Sequence, residues 1–139
     1  MTTDWTLFPA APTDGLAGEF FAWQARGELR VQRCARCRRW NHPPTEICPA
    51  CWGSELAWER PAGLGTVFSW TRTHHAFVPQ VAAALPYLCA VVELDEGPRL
   101  ASGLRLEDQG APIESGLRVS VSFEDRGDGS QVAVFVPLE

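Results

Sequence analysis

The 139-residue chain contains no lysine; all twelve of its basic residues are arginine. Every cationic contact therefore rests on a planar guanidinium, which grips phosphate and carboxylate in bidentate fashion, so the placement of the arginines carries the information. No apolar run approaches the ~20 residues a membrane-crossing helix needs. The first residues, Met1 to Pro9, offer neither the basic n-region nor the apolar h-region of a secretory signal. A cytoplasmic protein without a membrane span is expected, and structural disulfides, which need an oxidising compartment, are not. A convincing catalytic constellation is also missing. Cys89 lies in the apolar run Tyr87-Leu88-Cys89-Ala90-Val91-Val92, where a thiol behaves as a small hydrophobe. His74 and His75 are adjacent, so on a strand they point to opposite faces. His42 reads as a packing or surface residue.

What the chain does have is four cysteines in two Cys-x-x-Cys knuckles, Cys34/Cys37 and Cys48/Cys51, with ten residues between them. Each two-residue spacer lets a tight turn aim both sulfurs at one point. Four thiolates so spaced suit a tetrahedral Zn²⁺ site; a rubredoxin-like iron centre uses the same ligands. A closed shell of four leaves no open coordination position, so the ion is expected to be structural.

Charge is distributed unevenly. Residues 1–60 carry seven arginines and seven acidic residues, whereas residues 61–139 carry five and ten, so the net charge of −5 belongs to the second part. Arg26, Arg30, Arg33, Arg36, Arg38 and Arg39 fall within fourteen residues, with Glu28 the sole acid among them. Two readings stay open for this cluster: a solvated surface of the metal knuckles, or an anion site for a phosphate-bearing ligand or an acidic partner.

Hydrophobic patterning gives a mainly β chain. Asp14 is placed to cap a short helix carrying Leu16, Phe20 and Trp23 at helical spacing and ending near Gly27. Leu29 and Val31 lead into the first knuckle. Trp40 reads as core, because a ribbon this small has little else to bury. Beyond Gly63 and Gly65, five strands are expected: Thr66 to Thr73; Tyr87 to Leu94 with Leu88, Ala90, Val92 and Leu94 on one face; a third marked by Leu100, Leu104 and Leu106; a fourth with Val119, Val121 and Phe123 alternating with polar residues; and a fifth through Val132, Val134 and Val136. Five short strands suit a small closed barrel, an OB-fold or an SH3-like barrel. The stretch between strands three and four, residues 107–116, holds two glycines and a proline and leaves room for little helix. The expected division is an N-terminal helical segment (1–33), a rubredoxin-like zinc ribbon (34–60) and a five-stranded OB-fold barrel (61–139). The link from His74 to Pro86 is long and apolar. Its Phe77, Val78, Val81 and Leu85 either fold back on the barrel or form a partner surface.

The order Phe20-Phe21, Arg26-Gly27-Glu28-Leu29, Cys34-x-x-Cys37, Pro43-Pro44, Cys48-Pro49-x-Cys51, Gly63-x-Gly65-Thr66-Val67 and Pro86-Tyr87 resembles the zinc-ribbon plus OB-fold family associated with acyl-CoA metabolism. The likeness runs from about residue 17 onward. It implies an accessory subunit that docks on a thiolase-superfamily enzyme acting on acyl-CoA, for example in retro-aldol cleavage of a steroid side chain. It also implies a hetero-oligomer, with two plus two chains as the expected assembly. It makes the arginine cluster a candidate contact for the CoA phosphates. The alternative is a single-stranded nucleic-acid module with Phe68 and Trp70 as stacking platforms. Ten acids against five arginines in the barrel half oppose it, because phosphate binding demands the reverse.

Overall fold

The computed structural model describes residues 4–138. Helix α1 (Gly15–Ala25) starts after Asp14, which has the expected extended backbone but makes no side-chain cap bond. It stops at Gly27, whose φ of +78° reverses the chain at little steric cost. The buried face differs from the expected stripe. Phe20 and Gln24 are buried, whereas Leu16 and Trp23 are half-buried. Gln24 turns inward because its Oε1 accepts from the Ala133 amide at 3.0 Å, which ties the helix to the barrel.

Three short antiparallel strands build the ribbon. β1 (Val31–Cys34) lies between β2 (Trp40–Asn41) and β3 (Leu56–Glu59). β1 enters the first knuckle and β3 leaves the second, so the sheet holds the base of both. Trp40 is half-buried and packs against the core, as expected.

The barrel comprises β4 (Leu64–Thr73), β5 (Tyr87–Leu94), β6 (Arg99–Leu104), β7 (Arg118–Asp125) and β8 (Gln131–Pro137). It closes in the order β4-β5-β6-β8-β7. All pairings are antiparallel except β6 with β8, and this order with one parallel pair decides for an OB-like barrel. Among the described residues, no helix intervenes between β6 and β7. Leu88, Ala90, Val92 and Leu94 are fully buried on the inner face of β5. On β8, cross-strand partners share a face, and Phe135 stands opposite Val121. Phe135 rather than the alternating valines thus fills the barrel, and Val132 and Val134 are buried on the outer face. One hydrophobic cluster joins Phe20, Leu29 and Val31 to Val67, Leu88, Val119 and Phe135, so ribbon and barrel share a core.

Glu124 departs from the expected polar-out pattern. It points away from the barrel interior, opposite Val132, yet is 8% exposed. Arg105 donates to it through Nε (2.9 Å) and Nη2 (3.3 Å). The cause is the lead-in before α1, which is not simply irregular. A 3₁₀ turn (Trp5–Leu7) is capped by the Asp4 carboxylate. From it, Trp5 Nε1 donates to Glu124 at 2.8 Å while the Arg105 guanidinium lies over the indole. Phe8 adds an edge-on contact with Tyr87.

Removing one partner of a buried pair strands the other charge. Glu124→Ala should therefore cost about 3–5 kcal/mol in denaturant unfolding, whereas the paired replacement Arg105→Met with Glu124→Leu should be close to neutral.

Candidate metal centre

Both knuckles fold alike. The Cys34 amide donates to the Arg39 carbonyl (2.9 Å) and the Arg38 amide to the Cys34 carbonyl (2.9 Å); Cys48 with Gly53 and Trp52 with Cys48 repeat the pattern at 2.8 Å each. The residue after each second cysteine, Arg38 or Trp52, is left-handed, with φ of 68° and 67°. Non-glycine residues adopt that conformation at a cost, and here the paired turns impose it.

The two turns bring Cys34, Cys37, Cys48 and Cys51 together, with all four sulfurs within 4.8 Å of one another. Sγ of Cys34 lies 3.5 Å from that of Cys51, and Sγ of Cys37 lies 3.7 Å from that of Cys48. A tetrahedron of sulfurs at about 2.3 Å from Zn²⁺ has edges of about 3.8 Å. Those two separations are close to such edges, while a disulfide needs about 2.05 Å. Asn41 Nδ2 approaches the Cys48 sulfur at 3.5 Å, an outer-shell contact of the kind that orients ligands. The Cys51 backbone amide is the main influence that pulls the Cys48 thiol down to about 6, and the Cys37 amide acts likewise on Cys34. Cys51 is pushed up to about 11: the Gly53 amide draws it down, but burial and hydrogen bonds with the other three sulfurs outweigh that pull. Crowded sulfurs resist sharing so much negative charge, and a dication relieves them. The residues fit a structural zinc ion with no position left for a substrate.

The arginine cluster divides. Arg26 and Arg30 lie over the Trp23 ring, and Arg30 also pairs with Glu28 at 3.1 Å, a carboxylate that Arg60 meets at 2.5 Å. Arg33 stacks on Trp40 and, with Arg38, approaches Glu59 at 3.7 and 3.8 Å. Sequence reasoning missed Glu59. It belongs to β3, and the register that sets Ala57 opposite Arg33 places Glu59 on the diagonal. Arg36 and Arg39 are exposed and, like Arg26, lack a carboxylate partner among the described residues.

The apolar link between β4 and β5 also divides. Its 3₁₀ turn, Pro79–Ala84, packs against the Trp5–Leu7 turn. Val81 is buried and Leu85 half-buried where the link folds back on the chain, whereas Phe77 (80% exposed) and Val78 lie outside. Phe68 and Trp70 are exposed. His42 packs on Phe20 at 5.0 Å, and burial holds its imidazole below the ordinary range. Cys89 is exposed rather than packed as a small hydrophobe; partial desolvation by its neighbours raises its thiol, and among the described residues no base bonds to it. Trp52, at a knuckle tip, is 81% exposed; nothing in its sequence context marks it out.

Metal analysis of the natural chain should find one equivalent of zinc, and replacing any one of the four cysteines by serine should remove it. It should also expose amides 31–59 to hydrogen exchange ahead of the barrel. Because thiolates are the ligands, zinc affinity should fall as the pH is lowered.

Comparison with known proteins agrees with this anatomy. Residues 25–57 match the family described as "ChsH2, rubredoxin-like zinc ribbon domain", and residues 58–124 match "ChsH2, C-terminal OB-fold domain". The chain is 42% identical over 109 residues to a probable enoyl-CoA hydratase alpha subunit of Thermomonospora curvata, covering 78% of this chain and 33% of that one. It is 37% identical over 110 residues to the 3-oxo-4,17-pregnadiene-20-carboxyl-CoA hydratase alpha subunit of Mycobacterium tuberculosis, covering 76% and 33%. The chain thus spans about a third of the length of these relatives. Among solved structures, a chain of the Ltp2-ChsH2(DUF35) aldolase superposes with a TM-score of 0.79 at 33% identity, covering 94% of this chain and 98% of that one. With both modules matched in order, the chain belongs to the ChsH2 family of zinc-ribbon and OB-fold proteins.

Proposed function

We propose that this chain is a zinc-stabilised accessory subunit that docks on a thiolase-superfamily enzyme. The complex would act on an acyl-CoA, with retro-aldol cleavage in steroid side-chain degradation as the favoured reaction. The observation that carries the reading is the near full-length match, at 33% identity, to a chain of an aldolase complex. The relative described as a hydratase subunit for a pregnadiene carboxyl-CoA supplies the steroid direction. The chain's own chemistry fits a supporting role. Four cysteines would close the metal shell, and among the described residues Cys89 has no hydrogen-bonded base and no histidine bonds to a nucleophile.

Within that role the zinc ion holds the knuckles and ribbon sheet in shape. The exposed guanidiniums of Arg26, Arg36 and Arg39 have no carboxylate partner among the described residues, so they are the members of the cluster free to meet the phosphates of CoA. Arg30, Arg33 and Arg38 are already engaged by Glu28 or Glu59 and would add positive potential rather than direct contacts. Phe77 and Val78 offer apolar surface to the partner. Reduced thiolates at the zinc site suit a cytoplasmic location. A two-plus-two assembly follows if the partner is a dimer, as thiolase-like enzymes commonly are.

The nucleic-acid alternative gains from the exposure of Phe68 and Trp70. It loses because Arg99 and Arg72 already lie over those rings, and because acids outnumber arginines in the barrel half.

Co-expression with a thiolase-like subunit of the same organism is the test. The two chains should co-elute at a mass fitting two of each and cleave a steroid β-hydroxyacyl-CoA, while this chain alone should turn over none. Failure to co-elute, with no effect of either chain on the other's activity, would defeat the reading.

A further inference from the structure

The barrel is not sealed along the whole of β4. That strand pairs with β7 only through Leu64, Gly65 and Thr66. The Val67 amide still donates to the Leu117 carbonyl at 2.9 Å. A bulge at Phe68 then shifts the register. From Ser69 to Thr73, β5 is the sole backbone partner among the described residues. The edge of that stretch away from β5 has no backbone partner among the described residues, although Arg72 reaches from it to the Gln109 and Ala111 carbonyls. Natural sheets shorten, charge or cover such an edge. This one instead displays aromatic rings, with Phe68 56% and Trp70 39% exposed.

The rings are held ready. The Arg99 guanidinium lies 3.7 Å from the Phe68 centroid, and Arg72 lies 5.3 Å from that of Trp70. Arg72 is itself fixed, donating through Nε to the Gln109 carbonyl at 2.9 Å and through Nη2 to the Ala111 carbonyl. Ordering these side chains before contact lowers the entropy lost on binding. Arg99 is neutralised by Glu93 at 2.8 Å, whereas Arg72 meets only carbonyls and has no carboxylate partner among the described residues.

Resting on the accessory reading above, we propose that an extended segment of the thiolase-like partner adds to this edge as an extra strand, pairing with Ser69–Thr73. Unpaired backbone groups select an extended chain, the mode in which main-chain bonds give affinity and alternate side chains give specificity. Phe68 and Trp70 select apolar residues on that chain, and Arg72 selects a carboxylate. A second copy of this chain fits poorly, because β4 (Leu-Gly-Thr-Val-Phe-Ser-Trp-Thr-Arg-Thr) carries no acid to offer Arg72.

Hydrogen exchange on the zinc-loaded chain, alone and in complex with the thiolase-like subunit, tests this. Amides within Ser69–Thr73 that exchange rapidly in the free chain should become protected in the complex. Phe68→Ala and Trp70→Ala should each weaken the complex about tenfold or more with zinc content unchanged; if either variant unfolds, the exchange data on the natural chain decide. If the complex forms and these amides still exchange freely, the edge is not the docking strand, although the accessory reading survives. Weakening by Phe77→Ala with those amides unprotected would give the docking role to the β4–β5 link and overturn the inference. Protection in the isolated chain together with a dimeric mass would make a second copy the occupant and overturn it equally. If the natural chains form no complex, both readings fall.

Discussion

The four-sulfur clamp on zinc is the constraint from which the rest of the structure follows. Residues 34–55 contribute little to the core beyond Cys34, Cys48 and part of Trp40, far less apolar surface than is needed to offset the chain entropy lost on folding. Structural zinc supplies about 10–16 kcal/mol in small thiolate sites, enough to impose left-handed backbone on Arg38 and Trp52. With the knuckles closed, β1 and β3 are brought side by side, and Val31 and Leu29 are presented to Phe20 and the barrel. A local coordination bond thereby sets the attitude of the ribbon toward the core that it shares with the barrel.

Much of this is legible in the sequence, and the reasons differ from part to part. The cysteine spacing is a nearly sufficient description of the site, because tetrahedral geometry leaves few ways to satisfy four thiolates. β5 is readable to the residue since its inner face alternates without interruption. The ends of α1 follow from Asp14 and Gly27. Long-range pairing is not legible. Glu59 becomes a partner of Arg33 and Arg38 only through the β1–β3 register. Glu124 becomes buried only because Trp5, 119 residues earlier, folds across it. β8 carries Val132, Val134 and Val136 in clean alternation, yet its inward residue is Phe135. Val132 and Val134 are buried on the outer face and Phe135 on the inner one, so both faces of that strand are apolar and alternation no longer reports direction.

The arginine-only basic set has a visible use. Several cation–aromatic and bidentate contacts need a flat head group: Arg30 on Trp23, Arg33 on Trp40, Arg99 on Phe68, Arg105 clasping Glu124, Arg118 clasping Asp95. A lysine ammonium, being a point charge, would lose the stacking in the first three and the forked geometry in the last two. The surface charge is thus partly structural, which is why three of the six clustered arginines, Arg30, Arg33 and Arg38, are engaged within the chain.

Trp5 acts as a roof tile over the Arg105–Glu124 pair, and it stands near the start of the described residues. Trimming a handful of N-terminal residues would leave every strand and the zinc knot in place, yet it would let water reach two charges that are otherwise dry. Where a recombinant version of this protein begins therefore decides how well its barrel is insulated, independently of whether the metal is bound.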